Sequence, residues 1–372
     1  MRVRICDLRT GRRILDLPYL KADWTGEFNG AETVTATVSV NDRRIQKLDL
    51  YNASIPGRTA LIIEDQGVTN GGPIWTRHYD RDAGTVELSG KGLWSYFDHR
   101  TLLPLMKDTD KLTNSDGTAN TGFDTNIKNT SYQTIAKRWI QQSLTWTGGN
   151  LPITFEDDMA GTYERNIKGA ELKLIGDLLI NLTEVQNGPD IRFQPRLTTD
   201  GLGYEWLLKT GKPRLTGNTT TTIWDTSLPG NTVSDLTISQ DANDLANIVW
   251  ETGGAASDQA IIERATDHSF TGLGFPLLEK VESLSSSVTD PKTALAHAVE
   301  TIRTSTRPLN TWQFSVQRDQ RLGEYDVGHD CGLIIRNDQF GIPDGLHKLR
   351  IMTLRGSSDS DKIEITTGAF NE

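Results

Sequence analysis

A seven-residue segment of this chain alternates strictly between apolar and small hydroxyl side chains. Its apolar members are Val34, Ala36, Val38 and Val40, with Thr35, Thr37 and Ser39 between them. Successive side chains of a strand point to opposite faces, so a period of two predicts a β-strand with one buried and one solvated side. Threonine is about one residue in eight, and the chain has 34 glycines. Threonine favours pleated surfaces and glycine supplies turns, so the chain is predicted to be β-rich.

The segment lies in a first region, residues 1–105, that we predict to be a small, mostly antiparallel β domain. Further strands are predicted at 58–64, 74–79 and 85–89, the last with Val86 and Leu88 inward. Residues 41–50 are predicted to form a short helix that begins at Asn41 or Asp42. Asp82-Ala83-Gly84 predicts a hairpin connection between two of the strands.

The second region, residues 106–208, mixes helical and strand patterns. Residues 107–130 lack periodicity and are predicted to be a long surface loop or a boundary. Helical spacing follows in two sets: Tyr132, Ile135, Ala136, Trp139 and Ile140, then Leu172, Ile175, Leu178, Leu179 and Leu182. Alternating residues on both sides of Asp200-Gly201 predict a hairpin of 191–197 with 204–208, whose Pro195 marks an edge strand. We therefore predict an α+β domain here.

The last region returns to strand patterns after a Thr/Gly/Asn/Pro-rich stretch at 210–234. Strands are predicted at 236–239, 246–252, 311–317, 332–336, 346–354 and 362–367. One helix interrupts them, with Asp290 as N-cap and Pro291 in its first turn. We assign 209–255 with 307–372 to a second β domain, and 256–306 to the α+β domain.

Composition excludes several classes of protein. The chain has 372 residues, with 39 Lys+Arg against 49 Asp+Glu and a net charge of −10. This acidity disfavours nucleic-acid binding, which needs clustered cations. No apolar run reaches the ~18 residues of a membrane span, and no apolar stretch follows the basic N-terminus as in a secretory signal. Cys6 and Cys331 alone cannot form a disulfide framework or a four-thiolate metal site.

The common catalytic and nucleotide-binding motifs are absent, and the six histidines are scattered singly. The best enzymatic candidate is the run Glu156-Asp157-Asp158, because paired carboxylates cleave glycosides, but a solvated acidic turn explains it more simply. Several tryptophans could stack on sugars, although core packing explains them better: Trp24, Trp75, Trp94, Trp146, Trp224 and Trp250. We predict no enzyme, and no catalytic, cofactor-binding or metal-binding residue.

Two segments resemble a known family. The first contains Gly72-Pro73-Ile74-Trp75 and continues from Val86 to Arg100; the second runs from Asn243 through Pro276-Leu277-Leu278-Glu279 and the Asp290 helix to Cys331. Together they resemble the hub, or tail-associated minor tail protein, of long-tailed bacteriophages, which is related to contractile-tail baseplate hubs. The family has a Gly-Asp-x-x-Gly-Asp turn before a strand. Here Gly323 and Gly328 keep the turn, while Glu324 and His329 replace its acids.

The resemblance implies a homotrimer in which each chain contributes two small tail-tube-like β-barrels around an intervening α+β domain. Six barrels would then form a pseudo-sixfold ring that closes the tail tube, adapts it to a threefold tip and forms part of the DNA passage. Implied partners are the distal tail protein ring, the tail tube, the tape-measure protein and tail fibre or receptor-binding proteins. The implied location is the virion tail tip, assembled in the host cytoplasm. Many members carry a peptidase, lysozyme or fibre extension; the sequence stops at Glu372, just after the last predicted strand, so we expect the structural core alone.

The implied tail-tip role leads to one hypothesis about the lumen and one about the long loops. An acidic lumen would let DNA pass without binding it, since like charges repel. The loops 107–130 and 210–231 are long enough to become ordered only against neighbouring tail proteins. The alternative function is a carbohydrate-binding or glycan-cleaving module for the host cell surface. Such a module needs a cleft with exposed tryptophan beside carboxylates.

Overall fold

The computed structural model describes residues 1–217, 222–228, 233–253, 261–269, 271–284, 290–319 and 322–369. Strands make up 43% of the chain and helices 17%, which confirms the predicted β-rich α+β class. No helix in these ranges is long and apolar enough to cross a membrane.

The N-terminal region consists of seven strands and three single-turn helices. They are β1 (Arg2–Asp7), β2 (Arg13–Asp16), β3 (Lys21–Gly26), β4 (Thr33–Ser39), α1 (Arg43–Gln46), α2 (Leu50–Ala53), β5 (Thr59–Asp65), β6 (Val68–Asp80), β7 (Thr85–Lys91) and α3 (Trp94–Phe97). β4 buries Val34, Ala36 and Val38 as its alternation predicts. Instead of the single helix predicted at 41–50, the chain forms two separate one-turn helices, α1 and α2. Asp42 is the N-cap of the first, and Asp49 is the N-cap of the second.

The middle region packs two amphipathic helices against short sheets. Its elements are β8 (Thr125–Thr130), α4 (Tyr132–Leu144), β9 (Ile153–Phe155), β10 (Tyr163–Ile167), α5 (Ile175–Thr183), β11 (Ile191–Leu197) and β12 (Tyr204–Thr210). Both helices and the β11–β12 hairpin confirm the prediction, with β11 at a sheet edge. Leu172 is the exception, because it lies before α5 with φ +50° and is exposed. The loop predicted at 107–130 is wrong for its last six residues, which form β8. That strand contains one apolar residue, Ile127, so hydrophobic periodicity could not reveal it.

The C-terminal region contains nine described strands and one long helix. Its elements are β13 (Thr222–Asp225), β14 (Val233–Asp241), β15 (Ile248–Thr252), β16 (Ile262–Thr266), β17 (Glu279–Ser283), α6 (Pro291–Ser305), β18 (Leu309–Gln317), β19 (Asp330–Ile335), β20 (Gly345–Ser357) and β21 (Lys362–Ala369). Asp290 caps α6 as predicted. The predicted loop 210–234 includes β13 and the start of β14, and its residues 218–221 and 229–232 lie outside the described residues.

One 13-stranded sheet joins the two ends of the chain. Its order is β14-β18-β21-β20-β3-β4-β7-β6-β5-β1-β2, with β19 on β20 and β13 on β19. The antiparallel β3–β20 ladder is the connection between the N-terminal and C-terminal strands. Within the described residues, no ladder closes either set of strands into a barrel. Three smaller sheets hold β8 with β10, β9 with β11 and β12, and β15 with β16 and β17.

Strand β5 belongs to two hydrophobic cores at once. Leu61 and Ile63 pack into a core shared by the N-terminal and C-terminal strands. Ala60 and Ile62 point the other way, into a core formed with α4, α5 and the β11–β12 hairpin. All four side chains are fully buried. The α+β part is therefore fixed against the back of the large sheet by apolar packing, which is the main stabilising force in folding.

Trp24 lies at the join between the two sets of strands. Its indole is 1% exposed, and its Nε1 donates to Asp65 Oδ2 at 3.0 Å. In the β3–β20 ladder Trp24 faces Gly356, where a Cβ atom would lie only 2.5 Å from the indole nitrogen. Glycine at 356 therefore provides the space in which the indole lies flat over the neighbouring strand.

Candidate functional site

The acidic run that the sequence offered as an enzymatic candidate lies on the surface in ion pairs. Asp158 accepts from Lys137 Nζ at 2.8 Å and Arg138 Nη2 at 3.0 Å, and these hydrogen bonds lower the pKa of its carboxyl. Glu156 Oε2 accepts from Thr210 Oγ1 at 3.2 Å. A carboxylate held ionised by two cations is a poor proton donor. The solvated acidic turn is the interpretation that fits this geometry.

The tryptophans pack internally instead of forming a sugar platform. Trp24, Trp94 and Trp224 are buried, whereas Trp75, Trp146 and Trp250 are half-buried. Within the described ranges no tryptophan is exposed, and no group of three or more His, Cys, Asp or Glu side chains could hold a metal ion. An exposed tryptophan platform, which a carbohydrate module requires, is therefore not found among the described residues.

The most distinctive polar feature is a buried ion network centred on Arg192, in β11. Its Nε donates to Glu32 Oε1 at 2.8 Å, its Nη1 to Asp326 Oδ2 at 2.6 Å and its Nη2 to Asn70 Oδ1 at 3.2 Å. Arg192 is 4% exposed and Glu32 is 3% exposed. One guanidinium therefore joins the N-terminal strands, the α+β part and the C-terminal strands, and we call these four residues the Arg192 network.

A second buried contact lies beside it. Arg350, in β20, donates through Nη2 to Asp190 Oδ2 and through Nε to the Gly328 carbonyl oxygen. Asn29 adds a backbone connection, since its Oδ1 accepts from the Ile191 N–H at 2.7 Å and its own N–H donates to the Ile191 oxygen. The start of β11 is thus held from both ends of the chain.

The turn that carries Asp326 has the form the resemblance implied. Gly323 has φ +104° and Gly328 has φ +82°, in the region that favours glycine, and β19 begins two residues after the second. Gly323 also lies close to Gly67, so that a Cβ at 323 would be 3.2 Å from the Gly67 Cα. The two glycines therefore let the turn approach the N-terminal strands and place Asp326 on Arg192.

The charge balance of the network depends on Glu32. Burial raises the pKa of Glu32 to about 7, although Arg192 acts in the opposite direction. For Arg192, burial alone would lower the pKa, but Asp326 and Glu32 raise it overall, so the guanidinium stays charged. Glu32 Oε2 and Asn70 Nδ2 are buried and have no hydrogen-bond partner among the described residues. The network thus holds two carboxyl groups against one cation, and Glu32 is the group that titrates near neutral pH.

Glu32→Gln is expected to change how stability depends on pH. Because the pKa of Glu32 is above the 4.5 of an exposed carboxyl, the folded chain binds this proton more tightly than the unfolded chain. The stability that this tighter proton binding contributes is fully present below about pH 4.5 and is lost as the pH rises through 7. Between about pH 4.5 and 8, the free energy of unfolding of the wild type should therefore fall by about 1–3 kcal/mol relative to that of E32Q. Urea unfolding of both proteins measures this, and parallel pH profiles would contradict it.

Similarity to known proteins is found in structure and not in sequence. No family model and no curated protein matches the chain. A tail protein from Neisseria meningitidis MC58 matches with a TM-score of 0.56 and 14% identity, over 99% of this chain and 95% of that one. The 43 kDa tail protein of prophage MuSo2 from Shewanella oneidensis matches with a TM-score of 0.56 and 12% identity, over 99% and 98%.

A third match is a bacterial secretion component. The E. coli c3393 protein, a component of the type VI secretion system with structural similarity to T4 bacteriophage tail proteins gp27 and gp5, has a TM-score of 0.52 and 10% identity, over 100% of this chain and 78% of that one. At these identities the matches establish the fold. The chain has the fold of phage tail proteins, and the resemblance predicted from its sequence is confirmed at that level.

Proposed function

We propose that this chain is a structural component of a phage tail, the hub or minor tail protein at the tail tip, located in the virion. The observation that carries this proposal is the extent of the fold match. The Neisseria and Shewanella tail proteins each match 99% of this chain and are themselves covered to 95% and 98%. The proposed role is non-enzymatic and depends on protein contacts.

The finer architecture is part of the same proposal. Residues 1–105 and 209–255 with 307–372 would each act as a barrel-like β domain, with 106–208 and 256–306 between them. A homotrimer would place six such domains in a pseudo-sixfold ring that joins the tail tube to a threefold tip. Its partners would be the distal tail ring, the tube, the tape-measure protein and fibre or receptor-binding proteins. The net charge of −10 supports an acidic lining that DNA passes without binding.

The assembly state tests this proposal. We expect the purified chain, alone or with its distal tail ring, to form particles whose subunit count is three, from a chain mass of 41.3 kDa. Native mass spectrometry gives the count, and negative-stain images should contain rings with a central channel. A chain that stays monomeric with and without the distal tail ring would contradict the trimeric hub. A ring lumen lined mainly by Lys and Arg would contradict the acidic passage.

A further inference from the structure

A cavity of about 550 Å³ lies between the α+β part and α6. Its walls come from α4, α5, β8, β10 and α6, and its size falls in the range of ligand-binding clefts. The apolar lining includes Ile167, Leu178 and Leu182, all buried. The rim carries both charge signs, with Lys128 and Arg165 near Glu164 and other carboxylates, so net charge alone selects no ligand.

Strand β10 borders the cavity with its edge. Four consecutive residues, 164–167, line the cavity. Side chains of a strand alternate between two faces, so a cavity that touches four in a row lies alongside the backbone and not over one face. Among the described strands β10 pairs with β8 alone. The cavity side of β10 is therefore an edge to which another strand can pair. One backbone acceptor of β10 is already occupied, since the Glu164 carbonyl oxygen accepts from Arg165 Nη1 at 2.9 Å.

Side-chain contacts hold this edge in place. The ring of Tyr163 stacks on Tyr132 of α4, with centroids 3.8 Å apart and planes 11° apart. The Arg165 guanidinium lies 4.9 Å from the centre of the same Tyr132 ring. A β-bulge between Tyr163 and Arg165 interrupts the pairing with β8. Bulges are common next to functional sites, where they re-aim a strand.

Two buried polar side chains line the cavity as well. Trp139 is 1% exposed, and its Nε1–H has no hydrogen-bond partner within the described residues. His297 on α6 is 6% exposed, and burial lowers its pKa to about 4, so the ring is neutral at pH 7. An unpaired buried donor is costly and uncommon in folded proteins. Trp139 therefore marks a place where an acceptor oxygen would be stabilised.

We propose that this cavity binds an extended peptide segment of a second protein, which adds to β10 as a third strand and places an apolar side chain against Leu178 and Leu182. The free backbone edge favours a peptide over a small molecule, because main-chain hydrogen bonds recognise any extended segment and the cavity selects its side chain. A peptide also supplies carbonyl oxygens for Trp139. The inference goes beyond the tail role and does not depend on it.

The test uses the full chain and a defined probe, the peptide acetyl-Thr-Val-Thr-Leu-Thr-Val-amide. Tryptophan-selective ¹⁵N labelling gives an indole N–H signal for each tryptophan, and the Trp139 signal is assigned by its loss in Trp139→Phe. We expect a saturable shift of this signal on peptide addition. The same peptide N-methylated at alternate amides should bind about tenfold more weakly or worse, because it cannot complete the strand pairing.

Two variants form a matched pair. Ile180 lines the cavity and is 40% exposed, whereas Leu295 is a 41% exposed aliphatic residue on α6 that does not line it. Ile180→Glu should weaken peptide binding about tenfold or more. Leu295→Glu should leave it unchanged. The proposal is overturned if the Trp139 signal does not move up to the solubility limit of the peptide, if the N-methylated peptide binds equally well, or if both variants lose binding alike. A Trp139 shift that depends on protein concentration without peptide would assign the cavity to a second copy and overturn the proposed occupant.

Discussion

Replacing Arg192 with alanine is expected to lower the free energy of unfolding by about 3–5 kcal/mol, the usual cost of removing one partner from a buried ion pair. The substitution leaves Glu32 and Asp326 without their cation in a site where Arg192 is 4% exposed. It also removes the side chain that joins three parts of the chain. The loss should be larger at about pH 8 than at pH 5, because Glu32 is mostly protonated at the lower pH.

The matched control is Arg196→Ala, four residues later in the same strand. Arg196 pairs with Glu205 at 2.7 Å, but its side chain is 48% exposed. Exposed ion pairs contribute about 0–1 kcal/mol, so R196A should unfold almost as wild type does. Urea unfolding of the three proteins at both pH values measures the difference. Equal losses in R192A and R196A would mean that the Arg192 network adds nothing to stability.

Trp24→Ala should lower the free energy of unfolding by about 3–5 kcal/mol, as for other large aromatic side chains removed from a core. The indole is fully buried between strands from both ends of the chain, and Gly356 beneath it has no side chain to fill the space that the indole would leave. The variant also removes the hydrogen bond that Trp24 Nε1 donates to Asp65 Oδ2. The same urea titration provides the measurement.

Trp250→Ala is the comparison for this variant. Trp250 is half-buried on β15, where its Nε1 donates to Glu279 Oε1 at 3.1 Å, and it lies outside the core that contains Trp24. Its loss should cost about 1–2 kcal/mol, since partly exposed side chains contribute less burial. If W24A were no more destabilised than W250A, the β3–β20 join would not depend on the indole.

Local pattern was enough to predict the strands that bury one full face. β4, β7 and the β11–β12 hairpin follow from alternation and turn residues alone. Two strands that the sequence did not reveal, β17 and β8, contain one apolar residue each, so they show no hydrophobic alternation. Such segments become strands because they pair with a neighbouring strand of the sheet. That neighbour is distant in sequence, so a short sequence window does not contain it.

The Arg192 network lay beyond sequence reasoning for a related reason. Its partners are separated from Arg192 by 160, 134 and 122 residues, so no spacing connects them. The sequence did place the glycine turn that carries Asp326, and it placed Arg192 in the first arm of a hairpin. Only the fold brings the two together. A charged residue between two apolar neighbours, Ile191 and Phe193, was the available signal for a buried ion.

The β3–β20 ladder has a consequence for synthesis of the chain. Ala22 and Ser358 exchange hydrogen bonds across 336 residues, so β3 can pair with β20 only after that whole stretch has been synthesised. At about 5–20 residues per second, β3 leaves the ribosome tens of seconds before β20 does. During that time one edge of β3 is exposed to solvent and to other nascent chains. The N-terminal side of the core that the N-terminal and C-terminal strands share is exposed as well. The yield of native protein is therefore expected to depend on translation speed and chaperone supply as well as on its final stability.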